Sequence, residues 1–154
     1  MTTKINFIPE GNHQLTPYLY INGAADAIEF YKKAFGAVEL MRMEVPGGKI
    51  GHAEIKIGTA IIMMADEFPD MGVLGPKTIG GSPVTLHLYV EDVDATFQKA
   101  LEIGAVSIKE PQDQFYGDRS GCVRDSFGNF WGIATHIEDV SEEEIQKRLS
   151  AAAG

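Results

Sequence analysis

The chain has 154 residues, 44% of them hydrophobic, enough to bury a core and to argue against disorder. It carries 22 acidic against 13 basic residues, a formal net charge of −9, which argues against nucleic acid and anionic membranes as partners because both need a basic footprint. Cys122 is the one cysteine, so no intrachain disulfide can form, and with no signal-like apolar start and no run near about 20 apolar residues a cytoplasmic protein is expected.

The elements read in order as follows. Residues 16–21 carry the β-branched and aromatic side chains of a strand. Residues 25–35 switch to helical spacing, with Ile28, Tyr31 and Phe35 on one stripe, and Gly36 stands where a helix stops in the left-handed conformation. Residues 38–45 alternate as a second strand, and Pro46-Gly47-Gly48 turn the chain. Residues 51–57 and 59–65 form a hairpin across Gly58. A long Gly- and Pro-rich connection, 67–82, follows. Residues 84–90 are then a strand, 92–103 a helix ended by Gly104, and 106–109 a short strand before Pro111. Residues 121–125 and 129–136 close the set as a second hairpin. In the tail, Ser141 and Glu144 make a capping box for a last helix.

The second set repeats the first. Leu15-Thr16-Pro17-Tyr18-Leu19-Tyr20-Ile21 returns as Val84-Thr85-Leu86-His87-Leu88-Tyr89-Val90, and Gly36-Ala37-Val38 as Gly104-Ala105-Val106. Gly51 and Gly58 return as Gly121 and Gly128. So long a period means two copies of one supersecondary unit. The expected fold is α+β: two tandem βαβββ modules, about 14–66 and about 83–137, with a linker at about 67–82 and a C-terminal helix at about 141–150, in a single domain spanning 1–154. Paired half-sheets of this kind tend to enclose a cleft for a small ligand.

Several stretches carry a family likeness: Thr16-Pro17-Tyr18-Leu19, Ala27-Ile28-Glu29-Phe30-Tyr31-Lys32-Lys33-Ala34-Phe35-Gly36, Gly51-His52-Ala53-Glu54, Tyr116-Gly117-Asp118-Arg119 and Asp125-Ser126-Phe127-Gly128-Asn129-Phe130-Trp131. With them the chain resembles the vicinal oxygen chelate superfamily of glyoxalase and bleomycin-resistance proteins and dioxygenases, and within it the PhnB-like group. The resemblance implies two modules forming a U-shaped cavity, usually within a homodimer. Its metal-dependent members hold a divalent ion on the first and last strand of each module. Here those positions fall near Thr16, Ile62, Thr85 and Gly132, none of them a normal ligand for Zn, Ni or Fe, so no metal is expected at the usual site.

If Thr16 and Thr85 face the cavity, alternation sends Tyr18, Tyr20, His87 and Tyr89 there too; ordinary sheet packing is the competing reading. By the repeat, Ala60, Ile62 and Met64 match Phe130, Gly132 and Ala134 as an apolar wall, His136 matches Asp66, and Trp131 turns away to pack beneath the helices. His52 and Glu54 share a strand face and either bind a metal, pass a proton or make only cross-strand contacts. Arg119, in a loop beside Tyr116, either clamps an anionic group or pairs with an aspartate to fix the loop. Cys122 reads as a small packed residue.

The expected ligand-contacting set is therefore Tyr18, Tyr20, Met64, His87, Tyr89, Tyr116, Arg119 and Phe130. The leading expectation is a homodimer binding a small apolar or aromatic organic molecule, with no cofactor. The alternative is a metal-dependent lyase, isomerase or dioxygenase with displaced ligands such as His52, Glu54, His87 or His136. A third is a scaffold whose cavity is filled by its own side chains.

Overall fold

A computed structural model describes residues 4–153. The elements run β1 (Tyr18–Ile21), α1 (Ala24–Phe35), β2 (Val38–Glu44), β3 (Ile50–Ile57), β4 (Ala60–Asp66), α2 (Pro76–Ile79), β5 (Thr85–Tyr89), α3 (Val93–Glu102), β6 (Val106–Asp113), β7 (Asp118–Arg124), β8 (Phe130–His136) and α4 (Glu142–Ala153). They build two four-stranded mixed sheets, ordered β1-β4-β3-β2 and β5-β8-β7-β6. In each the outer first strand runs parallel to the last, and the other neighbours are antiparallel. This is the tandem βαβββ plan, α+β, with a C-terminal helix, and the chain divides into two compact units between Thr78 and Ile79.

Each unit packs its helix on one face of its own sheet. In module one, α1 buries Ala24, Ala27, Ile28, Tyr31 and Ala34, the stripe its spacing dictates, against a layer containing Ile21, Ile55 and Met64. Gly36 takes the left-handed conformation (φ 70°) and its N–H bonds the Lys32 carbonyl, which ends the helix. In module two, α3 packs on β6, β7 and β8, and Trp131, Val123 and Ile133 form the buried layer beneath it. The Trp131 Nε1–H donates to the buried Asp125 carboxylate at 2.9 Å, so the indole keeps its polar end satisfied inside the core.

The helix starts repeat a device with different chemistry. Gly23 offers α1 no side-chain cap; instead Asp66, at the end of β4, accepts from the N–H groups of Gly23 (3.1 Å) and Ala24 (2.9 Å). Its other oxygen accepts from Ile50 N–H at 2.7 Å, tying helix, β4 and β3 together. In module two Asp92 caps α3 locally through Ala95 N–H, and Thr135 accepts from Val93 N–H while donating to the Val90 carbonyl. Asp66 is thus matched by Thr135, not by His136 as the repeat suggests.

That shift corrects the expected wall as well. Tyr18 pairs with Met63, and His87 with Gly132, so the counterpart of Gly132 is Met63, not Ile62. The reason is the turn: module one closes its last hairpin in two residues between Ile57 and Ala60, whereas module two spends five between Arg124 and Phe130. Aligning Gly58 with Gly128 therefore slips the strand by one residue, and a one-residue slip exchanges the faces. Ile62 and Met64 lie on the helix side, Met64 fully buried, so Met64 is core and not ligand-contacting.

Two further boundaries differ. The strand expected to stop at 109 continues through Pro111 to Asp113, because β6 is an edge strand whose ladder is already irregular between Lys109 and Gln112. The connection at 67–82 contains a 3₁₀ turn, Pro69–Met71, and the short α2. It is anchored by Glu67, which accepts from Gly75 N–H and the Thr78 hydroxyl. The last helix is capped as expected at Ser141, whose hydroxyl accepts from Glu144 N–H.

Candidate functional site

With its helix on one side, each sheet leaves the other face to be read by alternation. In module one the register places Tyr18, Met63 and Glu54 side by side across β1, β4 and β3, with Met41 next on β2. Tyr20 follows Tyr18 on the same face, and His52 follows Glu54 with Met43 opposite it. Tyr18 is 39% exposed and Tyr20 41%, their ring centroids 5.1 Å apart at 44°, a tilted pair. This face is an aromatic and thioether surface.

It also holds a hydrogen-bonded chain. The Tyr18 hydroxyl lies 2.8 Å from His52 Nδ1, and His52 Nε2 lies 3.2 Å from Glu54 Oε2. A carboxylate can only accept, so Nε2 carries a proton; in the neutral imidazole Nδ1 is then the acceptor, and the Tyr18 hydroxyl donates to it. Burial, then Tyr20 and Glu54, push the Tyr18 phenol above its ordinary pKa, which keeps it a donor. The side chains of His52 and Glu54 are 22% and 18% exposed, so the chain is partly shielded from water.

In module two the matching face carries Thr85, His87 and Tyr89 on β5, Phe130, Gly132 and Ala134 on β8, and Ser120 and Cys122 on β7. His87 lies over Gly132: a Cβ there would sit 2.6 Å from His87 Nδ1, so the ring rests in space that any other residue would fill. His87 and Tyr89 meet edge to face, centroids 5.0 Å apart. The Tyr89 hydroxyl donates to Asp118 at 2.7 Å, which raises the phenol's pKa, helped by burial. His136 Nδ1 is 2.7 Å from the other Asp118 oxygen, and Nε2 2.7 Å from Asp139. The bonds to Asp118 and Asp139 hold His136 above its ordinary pKa. Burial pushes Asp118 up, but the bonds from His136 and Tyr89 outweigh it and leave the carboxyl below the usual range. Beside Tyr89 and His136 is an open depression of about 560 Å³.

Of the expected set, Tyr18 and Tyr20 come together in module one with His52 and Glu54, and His87, Tyr89 and Phe130 share a face in module two. Tyr116 stacks edge to face on Phe115 in the loop before β7. Arg119 is elsewhere: it pairs with Thr135 across the helix side of the sheet, donates twice to Asp94 (2.8 and 2.9 Å) and once to Asp113 (3.1 Å). Its guanidinium is thus committed to two carboxylates, the loop-fixing one of its two readings. Cys122 faces the open side of module two, its thiol pushed up in pKa by burial. Sequence reasoning missed Met41, Met43 and Met63 and the role of Asp118 between Tyr89 and His136. Extending β7 back to Asp118 in strict alternation was the signal for the latter.

The usual metal positions fit an ion poorly. Two threonine hydroxyls, a glycine and, by the corrected register, the Met63 thioether make a weak donor set for a divalent ion. Among the described residues no three His, Cys, Asp or Glu side chains gather as a metal's donors. His52 has both ring nitrogens engaged within module one.

The family model of the Glyoxalase/Bleomycin resistance protein/Dioxygenase superfamily matches residues 12–133, all of module one and module two as far as the middle of β8. The chain belongs to this superfamily. A Mycobacterium bovis protein is 44% identical over 140 residues, 89% of this chain and 92% of its own. The Escherichia coli protein YjdN is 28% identical over 141 residues, covering 77% and 92%. Among solved structures, an Arabidopsis thaliana gene product superposes with a TM-score of 0.64 at 26% identity, over 79% of this chain and 98% of that one. The PhnB protein of Bacillus cereus has the same fold, TM-score 0.61 at 16% identity, over 80% and 99%. No helix among the described residues is long and apolar enough to cross a membrane.

Proposed function

We propose that this superfamily member is a cytoplasmic homodimer that binds a small apolar or aromatic organic molecule on the open faces of its sheets, with no metal at the usual corners. The observation that carries this reading is the Tyr18–Tyr20 pair. Two tyrosines, each about two-fifths exposed, lie ring to ring beside Met63 on the sheet face opposite α1. Such rings give large contact area at low conformational cost, and thioethers adapt to the shape of a planar guest. The His87–Tyr89 pair offers the same chemistry in module two.

The experiment is a thermal-shift screen over planar organic compounds, followed by calorimetry on the hits. A ligand that prefers the native state raises the melting temperature with concentration. Tyr20→Ala should weaken binding while leaving the dimer intact by sedimentation, and a screen with no hits would refute the reading. The metal-dependent alternative is favoured by one feature, the approach of His52 to Glu54 at 3.2 Å. Stabilisation by added Zn or Ni, abolished in His52→Ala, would establish it in place of the first.

A further inference from the structure

We infer that Tyr18, His52 and Glu54 form a proton relay that selects ligands with an acidic hydroxyl, a phenol or an enol, and binds them as the oxyanion. This rests on the proposed binding at the same face and adds what that face does to the guest. The connectivity is the argument. Tyr18 gives its only proton to His52 Nδ1, so toward a guest its Oη can only accept. A bare carbonyl or ether offers no proton and gains nothing there, whereas a hydroxyl donates into a free lone pair.

The transfer then balances without any co-reactant. The guest's O–H bond breaks and its proton goes to Tyr18 Oη as the Tyr18 proton passes to His52 Nδ1. His52, still protonated at Nε2, becomes the imidazolium, and the Glu54 carboxylate at 3.2 Å neutralises it. The guest is left as an oxyanion accepting from the Tyr18 hydroxyl, and no electrons change hands. Tyr18 stays neutral throughout, consistent with a phenol whose own ionisation is disfavoured by burial, Tyr20 and Glu54. The groups facing His52 support the path: Met43 opposes it on β2, Arg42 and Lys32 are held by Glu39 on the helix side, and Lys56, which follows Glu54 on the same face, makes no ion pair with it among the described residues. Tyr20 and Met63 supply the flat surface beside the relay.

The probe is 4-nitrophenol, whose anion absorbs in the visible, with 4-nitroanisole as the analogue that has no proton to give. In buffer on the acid side of the free phenol's ionisation, wild-type protein should raise the phenolate fraction of bound 4-nitrophenol about tenfold over the free compound, one unit of apparent pKa. In His52→Gln, Glu54→Gln and Tyr18→Phe the band of the bound 4-nitrophenol should be lost, whereas Arg119→Gln, on the helix side of the other module, should keep it and bind both compounds as wild type does. If 4-nitroanisole binds wild type but no phenolate band appears, or the band persists in His52→Gln, the relay is refuted and the binding reading survives. If neither compound binds, both fall.

Discussion

Replacing Asp66 tests how much of module one hangs on a single buried carboxylate. It accepts from three N–H groups, of which those of Ala24 and Ile50 are buried, and no neighbouring side chain caps α1 in its place. Hydrogen bonds to a charged acceptor contribute about 1.5–3 kcal/mol each, and a buried donor left without a partner costs about 1–3 kcal/mol. Three such bonds do not add fully, because water can reach the partly buried Gly23; Asp66→Ala should therefore cost about 3–5 kcal/mol. Asp66→Asn is the sharper variant. Its remaining oxygen can keep Gly23 and Ala24, but its amide would face the Ile50 N–H, donor against donor, for a loss of about 1–3 kcal/mol. Thr135→Val removes the neutral counterpart in module two and should cost less than Asp66→Ala, about 1–2 kcal/mol. Urea unfolding followed by circular dichroism gives the differences, and hydrogen exchange at Ala24 and Ile50 localises them. If Asp66→Asn and Asp66→Ala both fall within about 0.5 kcal/mol of wild type, the capping argument is refuted.

Gly132→Ala puts a methyl where His87 rests, so the ring must swing away; a cost of about 1–3 kcal/mol and a shifted His87 ring resonance by NMR are expected, and an unmoved ring would contradict the geometry. The Asp118–His136 pair sets a pH window. His136 is raised, so its share is complete below the ordinary histidine value of 6.5 and is lost as pH climbs through the folded value; Asp118 is lowered, so its share is complete above 3.8 and lost as pH falls through the folded value. His136→Gln should therefore destabilise more at about pH 5.5 than at about pH 8, read from paired denaturation curves. Arg119→Gln should loosen the start of α3 and the end of β6 through Asp94 and Asp113 while leaving ligand affinity unchanged by calorimetry. Gly117→Ala should fail to fold or unfold far earlier, since a Cβ at φ 103° would run into the Glu138 carbonyl.

Outside the connection at 67–82, element order and type were legible because each rested on a local signal: alternation in Tyr18–Ile21 and Thr85–Tyr89, helical spacing ended by Gly36, a capping serine at 141. The open-face aromatics followed from the same alternation. What failed was the step that needed register. Gly58 and Gly128 look equivalent because both turn a hairpin with positive φ, yet from Cys122 to its partner Gly132 the chain runs one residue longer than from Glu54 to its partner Met63, and the match of Ile62 to Gly132 and the placement of Met64 inherited that slip. For Arg119 the sequence left two readings open, and register decides between them: β7 begins at Asp118, so Asp118 and Arg119 point to opposite faces and the guanidinium goes to Asp94 and Asp113. The Tyr18–His52–Glu54 chain needed contacts between residues 34 apart, for which periodicity along one strand carries no information.

The duplicated halves have kept a scaffold and parted in chemistry. At equivalent positions module one sets Tyr18 where module two sets His87, Met63 where it sets Gly132, and Glu54 where it sets Cys122. The consequences follow from side-chain inventory alone. Module one has an acceptor, an amphoteric ring and a phenol in sequence, the order the proposed relay needs. Module two drops the side chain at 132 and lays an imidazole into the gap, while its own phenol, Tyr89, is turned to Asp118. Tyr89 gives its proton to one Asp118 oxygen while His136 holds the other, so no imidazole stands between this phenol and its carboxylate. The relay proposed for module one therefore has no copy in module two, where the order is phenol, carboxylate, imidazole (Tyr89, Asp118, His136) and His87 lies instead against Gly132.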